Sequence, residues 1–223
     1  MTFELLTTSR PEAVYLALRQ SIVSTADAPG SVLTEATVAD RYSVARPTAK
    51  AAIERLVSEG LLVRTAHRTA RVPILDEADI RDLYASRVVI EEAGLRNLAV
   101  TGTVPDDARR AHRDLTAAAA EGEETTFARA DIAFHRALVL GQSSARLARM
   151  HALIMGEIEL CIGQVDSKKL LSAAIVAAQH QGILDAVIAA DVELAGTKTR
   201  EHILTSRDRL LASLTEHPDE RTN

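Results

Sequence analysis

Apolar residues recur along most of this chain at the three-and-four spacing of a helix that buries one face. The first such stretch places Val14, Leu18 and Ile22 on one side, after Ser9 as a candidate N-cap and with Pro11 in the first turn. A Pro29-Gly30 turn leads to a short helix near "EATVADRY". Next, "PTAKAAIERLVSEG" predicts a third helix, opened by Pro47 and closed by Gly60, with Ala49, Ile53, Leu56 and Val57 inside. "LLVRTAHRTARVPI" breaks the helical period and predicts two short strands around a basic turn, a hairpin too small to stand alone. Three helices and a basic hairpin make a winged helix-turn-helix, which sets the start of its third helix into the major groove of DNA. From residue 77 onward six amphipathic helical segments follow, separated by Gly, Pro or short polar loops, with no strand-type alternation. The predicted fold is mainly α: a winged helix-turn-helix over 9–75, an all-α six-helix bundle over 76–215, and a disordered tail over 216–223.

Charge sharpens the first half of this picture. The net charge of −5 conceals an asymmetry: residues 1–75 hold nine Lys/Arg against seven Asp/Glu, and the remainder is acidic. Within residues 41–72, seven basic residues face only Glu54 and Glu59, a candidate phosphate-facing surface. The helical pattern leaves Arg46, Thr48 and Lys50 at the exposed start of the third helix, and His67 and Arg68 in the wing turn; these are the candidate DNA contacts. Composition changes less. Hydrophobic residues make up 47% of the chain without a long apolar run, so no membrane span is expected. The N-terminus lacks the basic start and apolar block of a secretory signal, and a single cysteine, Cys161, allows no internal disulfide. A cytoplasmic protein is expected, with Cys161 as a small buried hydrophobe.

Candidate chemistry lies in the bundle. "RADIAFHRAL" puts Asp131 and His135 four positions apart, among Phe127, Phe134 and Leu138. At 100° per residue their side chains project side by side from an apolar stripe. A buried carboxylate needs a cation, a donor or a metal. His180 interrupts the stripe of Val176, Ala177 and Leu184, and His202 lies at the edge of the face of Ile203 and Leu210. Two readings stand: hydrogen-bonded core histidines, or three imidazoles and a carboxylate converging on a divalent ion. That donor set suits Zn²⁺, or Ni²⁺ or Mn²⁺. His112, partly on the stripe of Ala108, Ala111 and Leu115, is the competing ligand candidate. His151 and His217 read as surface or dimer-contact residues.

The sequence resembles two domains of one known family. "PGSVLTEATVADRYSVARPTAKAAIERLVSEGLLVRTAHRTARV" is similar to the DNA-binding domain of GntR bacterial transcription regulators, with Pro29-Gly30, Leu33, Glu35, Arg46, Leu56, Gly60 and Leu61 matching. It departs at Ala36, Ala45, Lys50 and Thr69, where the family favours a basic residue, Ser, Arg and a wing glycine. A lysine contacts guanine without the arginine fork. "RVVIEEAGLRNLA", "DIAFHRALVLGQSSARLARM" and "AAQHQGILDAVIAADVELAGTKTREHI" resemble the FCD ligand-binding domain of the FadR-type branch, in its six-helix, VanR-like variant. The resemblance implies one divalent metal per chain on Asp131, His135, His180 and His202. It also implies that Arg87 faces an effector cavity, and that Ser144 stands where Asn is common.

The expected function is a homodimeric, ligand-responsive transcriptional regulator, a repressor released from double-stranded operator DNA by a small carboxylate. A sugar acid, hydroxy acid or dicarboxylate is what the family implies. Two alternatives remain open: a repressor for which the metal ion is itself the signal, and a metal-dependent hydrolase. The second lacks a separate acid/base constellation and leaves the DNA-binding unit unexplained.

Overall fold

The computed structural model describes residues 9–64, 69–142, 144–163 and 172–215, so His67, Arg68 and the expected tail at 216–223 lie outside the described residues. The chain divides into two units, one ending at Ile74 and the other beginning at Leu75.

The first unit runs α1 (Arg10–Val23), β1 (Val32–Leu33), α2 (Glu35–Tyr42), α3 (Arg46–Ser58) and β2 (Ala70–Arg71). A reciprocal capping box starts α2: the Thr37 N–H donates to the Thr34 hydroxyl at 3.0 Å, and the Thr34 N–H to the Thr37 hydroxyl at 3.1 Å. Pro47 sits in the first turn of α3, while its N-cap residue, Ala45, offers no side-chain acceptor. Leu18, Ile22, Val38, Ala49, Ile53 and Leu56 form an apolar core. One strand exceeds the expected hairpin. Val32–Leu33 pairs antiparallel with Ala70–Arg71, and Val63 bridges Arg71 from the other side. Sequence pattern marks the segment after Pro29-Gly30 only as a turn, because two residues are too few to show an alternation.

Among the described residues the second unit holds no strand and six helices: α4 (Glu77–Thr101), α5 (Asp106–Glu121), α6 (Glu124–Leu140), α7 (Ala145–Gly163), α8 (Ala173–Ile188) and α9 (Val192–Thr215). These are the six segments the periodicity predicts. Asp76 and Asp79 cap α4 reciprocally, at 2.8 and 3.1 Å. Gly102 and Gly122 end α4 and α5 in the left-handed region, at φ +63° and +73°, where a Cβ brings strain. The bundle packs α4 along α9, α5 against α6, and α8 against α9.

A small apolar cluster around Leu115, Ala130 and Val176 and two large ones build its core. One holds Leu95, Leu98, Phe134, Leu138, Ile183 and Val187; the other holds Tyr84, Val88, Met155, Ile158, Ile203 and Leu210. Along α4 the chain passes from Val88 in one cluster to Leu95 in the other, with Glu91 between them. Along α9 it passes from Ala195 back to Ile203, with His202 at the crossing. The interior of this bundle therefore contains a polar layer.

Candidate metal centre and cavity

Three helices supply the candidate metal ligands of that layer. Asp131 and His135 come from α6, His180 from α8 and His202 from α9, and one donor atom of each lies within 4.8 Å of all the others. Nε2 of His202 is 3.2 Å from Nε2 of both His135 and His180. Asp131 Oδ1 is 3.4 Å from His180 Nε2 and 3.9 Å from His135 Nε2. Two ligand atoms each about 2.1 Å from one ion, at angles of about 90–109°, stand roughly 3.0–3.4 Å apart. The 3.2, 3.2 and 3.4 Å spacings match this, and the 3.9 Å between Asp131 and His135 is wider.

The outer nitrogens explain the orientation. His135 Nδ1 donates to Glu91 Oε2 at 2.7 Å, and His202 Nδ1 donates to Gln179 Oε1 at 2.9 Å. In the neutral tautomer with the proton on Nδ1, Nε2 of each ring offers a lone pair. In that state the two lone pairs, 3.2 Å apart, can share a cation. The His180 ring stacks on Phe134 with centroids 4.1 Å apart, which fixes its plane.

Electrostatics favour the same use. Burial, and after it the neighbouring imidazoles, hold His180 and His202 well below the ordinary histidine pKa, so both are neutral, the form that ligates. Burial raises the Asp131 pKa, an effect that His135 and Arg87 only partly oppose. An ionised Asp131 in this layer thus calls for a nearby positive charge.

A second constellation stands behind the first. Glu91 is fully buried; its Oε1 accepts from Arg87 Nε at 2.6 Å and from His151 Nε2 at 3.0 Å. Burial alone pushes this carboxyl up, but Arg87, His135 and His151 outweigh it and hold Glu91 well below the usual carboxylate range. Arg87 is itself buried, and its Nη2 has no hydrogen-bond partner among the described residues. It lines a cavity of about 470 Å³ that also touches Asp131 and His202.

Sequence reasoning missed Glu91, His151 and Gln179. The expectation for His151 requires correction: it is 2% exposed and bound to Glu91, not on the surface. His112 stays outside the cluster and donates from Nε2 to Gln181 at 3.0 Å. Cys161 is buried, and burial pushes its thiol up to about 12.

In the first unit the basic stretch sorts into two kinds of residue. Arg41 is held by Asp27 through bonds of 2.7 and 2.9 Å, Arg55 by Glu12 and Glu59, and Arg64 by Glu54. Arg46 and Lys50, one turn apart at the exposed start of α3, have no ion pair among the described residues; Thr48 between them is half-buried.

Comparison with known proteins agrees with both units. Residues 11–72 match the model of bacterial regulatory proteins of the gntR family, and residues 82–205 match the FCD domain. The chain is 30% identical over 203 residues to an HTH-type transcriptional regulator in an unstable DNA locus of Streptomyces ambofaciens, covering 85% of this chain and 80% of that one. It is 28% identical over 178 residues to a D-xylose utilization operon transcriptional repressor of Paenarthrobacter nicotinovorans, covering 79% and 75%. A GntR transcriptional regulator from Rhodococcus sp. RHA1 superposes with a TM-score of 0.74 at 25% identity, over 92% of this chain and 99% of that one. Fold and sequence together define a DNA-binding transcriptional regulator, not an enzyme. The chain belongs to the gntR family of bacterial regulatory proteins and carries the FCD domain of one of its branches. No helix among the described residues is long and apolar enough to cross a membrane.

Proposed function

We propose that this regulator is a cytoplasmic homodimeric repressor that binds one divalent ion per chain and leaves its operator when a small carboxylate enters the bundle. The observation that carries this reading is the pairing of a four-donor cluster with a cavity at its side. Asp131, His135, His180 and His202 would hold the ion, Zn²⁺ first among Zn²⁺, Ni²⁺ and Mn²⁺. When bound, the ion supplies a positive charge and open positions for carboxylate oxygens. Arg87 orients the same carboxylate through its unpartnered Nη2 edge. Glu91 fixes the His135 ring and keeps the Arg87 guanidinium in place.

The cavity separates this reading from one in which the ion alone is the signal. A metal sensor needs neither a chamber of about 470 Å³ nor a buried guanidinium with an open edge facing it. Repression follows the D-xylose operon relative, and a dimer follows from operators built of two half-sites. Arg46, Thr48 and Lys50 face the groove in this reading, and His67 and Arg68 belong to the wing.

Effector binding then shifts the population of dimers away from the one that matches the half-site spacing. A tenfold to hundredfold loss of DNA affinity corresponds to about 1.4–2.7 kcal/mol of coupling. Calorimetric titration of the metal-loaded protein with organic acids, with and without operator, tests this. Operator DNA should weaken effector binding by the factor by which effector weakens operator binding. Equal effector affinities in the two titrations sink the mechanism for that ligand.

A further inference from the structure

The walls of the cavity change chemistry with depth, and the helices set the order. Phe127 precedes Asp131 by four residues on α6, Val176 precedes His180 by four on α8, and Tyr84 precedes Arg87 by three on α4; all three line the cavity. Each therefore stands about one helical turn, roughly 5 Å, from the polar layer. On α9 the wall continues through Ser206 to Leu210, which shares a cluster with Tyr84, while Phe127 packs with Val176. A second turn out, the wall carries Glu123 and Glu124 at the start of α6. From the inside outward the cavity thus presents the Arg87 guanidinium beside the metal donors, then an apolar sleeve, then an acidic rim. Among the described residues that line it, Arg87 is the one permanent cation.

We infer that the effector is a monocarboxylate with a hydrocarbon body, aliphatic or aryl, rather than a sugar acid, hydroxy acid or dicarboxylate. This rests on the carboxylate reading above and narrows it. The inner end accepts one carboxylate. A polyhydroxylated body would strip water from its hydroxyls against Phe127, Val176 and Leu210. Each hydroxyl left without a partner weakens binding by about tenfold. Tyr84 and Ser206 bring one hydroxyl apiece to the sleeve, enough for a single polar substituent. The second carboxylate of a short dicarboxylate would lie in the apolar sleeve beside Phe127, Val176 and Leu210, where an unpaired charge is costly to bury.

The test is calorimetric titration of the zinc-loaded full-length protein with acetate, butyrate, hexanoate and phenylacetate, against gluconate and succinate. Affinity should rise about fourfold for each methylene from acetate to hexanoate, with an increasingly negative heat-capacity change. Hexanoate and phenylacetate should bind at least tenfold tighter than gluconate or succinate. Val176→Thr, nearly isosteric, should cut the gain per methylene, lowering hexanoate affinity more than acetate affinity, and leave the protein able to hold zinc. Phe127→Leu serves as a second probe of the sleeve, lowering phenylacetate affinity more than acetate affinity. Gluconate or succinate binding tighter than hexanoate overturns the inference and leaves the carboxylate-responsive regulator standing. Failure of every acid, acetate included, to bind the zinc-loaded protein overturns both.

Discussion

The two units place their charges in opposite ways. In the winged unit the pair of Arg55 and Glu12 lies at the surface: their side chains, 2.7 Å apart, are 46% and 40% exposed. In the bundle the side chains of Arg87 and Glu91, 2.6 Å apart, are 3% and 1% exposed. The exposed kind contributes about 0.2–1 kcal/mol and is screened by salt. The buried kind is weak evidence for stability as a pair, but removing one partner costs about 3–5 kcal/mol, because the other is left charged and dry. A unit that reads DNA from its surface can keep a largely apolar core, with Asp27 the buried charge among its described residues. A unit that bound its proposed ligands inside would tie its folding to them.

The sharpest break of that contrast comes at Glu91. Glu91→Ala strands the buried Arg87 and leaves His135 and His151 without their acceptor, so stability should fall by about 3–5 kcal/mol. Arg55→Ala in the winged unit should cost less than about 1 kcal/mol. Urea denaturation of the full chain measures both. Equal losses would mean that burial makes no difference between the pairs.

Metal removal comes next. An ion held by Asp131, His135, His180 and His202 binds the folded form alone. At 100 to 1,000 times Kd it should therefore add about 2.7–4.1 kcal/mol, seen as a rise in Tm that a chelator reverses. His180→Ala with His202→Ala should abolish both the rise and the bound metal. A double variant that retains its metal refutes the ligand assignment.

How much of this was legible in the sequence depends on what each residue interrupts. Helix count and type were readable in the bundle, because apolar faces recur at helical spacing and glycines stop them, as at Gly102 and Gly122. His135 and His180 were visible as candidates because each breaks an otherwise apolar stripe. Glu91 was not, because it stands beside Glu92 and four residues after Arg87, the pattern of an exposed i,i+4 salt bridge. Only packing shows that Glu91 turns inward while Glu92 meets Arg96 and Arg200 at the surface. His151 was hidden for a related reason: its partner lies sixty residues away, on α4. Arg41, Arg55 and Arg64 were counted toward a DNA-facing surface for the same lack of long-range information, since two of their acids, Glu12 and Asp27, lie outside the basic stretch.

Acid should sharpen the contrast in the metal-free protein. His180 and His202 have folded pKa values well below the ordinary imidazole value near 6.5. Below about pH 6.5 the unfolded chain takes up protons that the folded chain refuses. Stability from these residues is therefore present above that pH and lost as pH falls, by up to about 1.4 kcal/mol per pH unit for each. Glu91 also contributes stability that acid removes, but only below its ordinary range near pH 4.5, so it leaves the window from 6.5 to 5 alone. Asp131, with its pKa raised, works in the opposite direction as pH approaches the carboxylate range. Chelator-treated protein should lose Tm from pH 6.5 to 5, and His202→Gln should roughly halve that slope. A slope the variant leaves unchanged removes His202 from the explanation.

The smallest effect on stability belongs to the residues proposed to contact DNA. Arg46 and Lys50 are exposed and make no ion pair among the described residues, so Arg46→Ala and Lys50→Ala should each change stability by no more than about 0.5 kcal/mol. Operator binding should respond differently. A lost base contact costs about 1–3 kcal/mol and relaxes preference at one position, whereas a lost phosphate contact lowers the slope of log K against log salt by about one. Arg41→Ala supplies the contrast within the same unit. It removes the partner of a nearly buried Asp27, whose pKa the Arg41 guanidinium holds down, so it should lower stability more than Arg46→Ala does. Operator titrations across a salt series, run beside urea melts of the three variants, separate the two roles. Operator affinity that survives the loss of both Arg46 and Lys50 would show that the free charges at the start of α3 do not face DNA, and the reading surface would have to lie elsewhere on the winged unit.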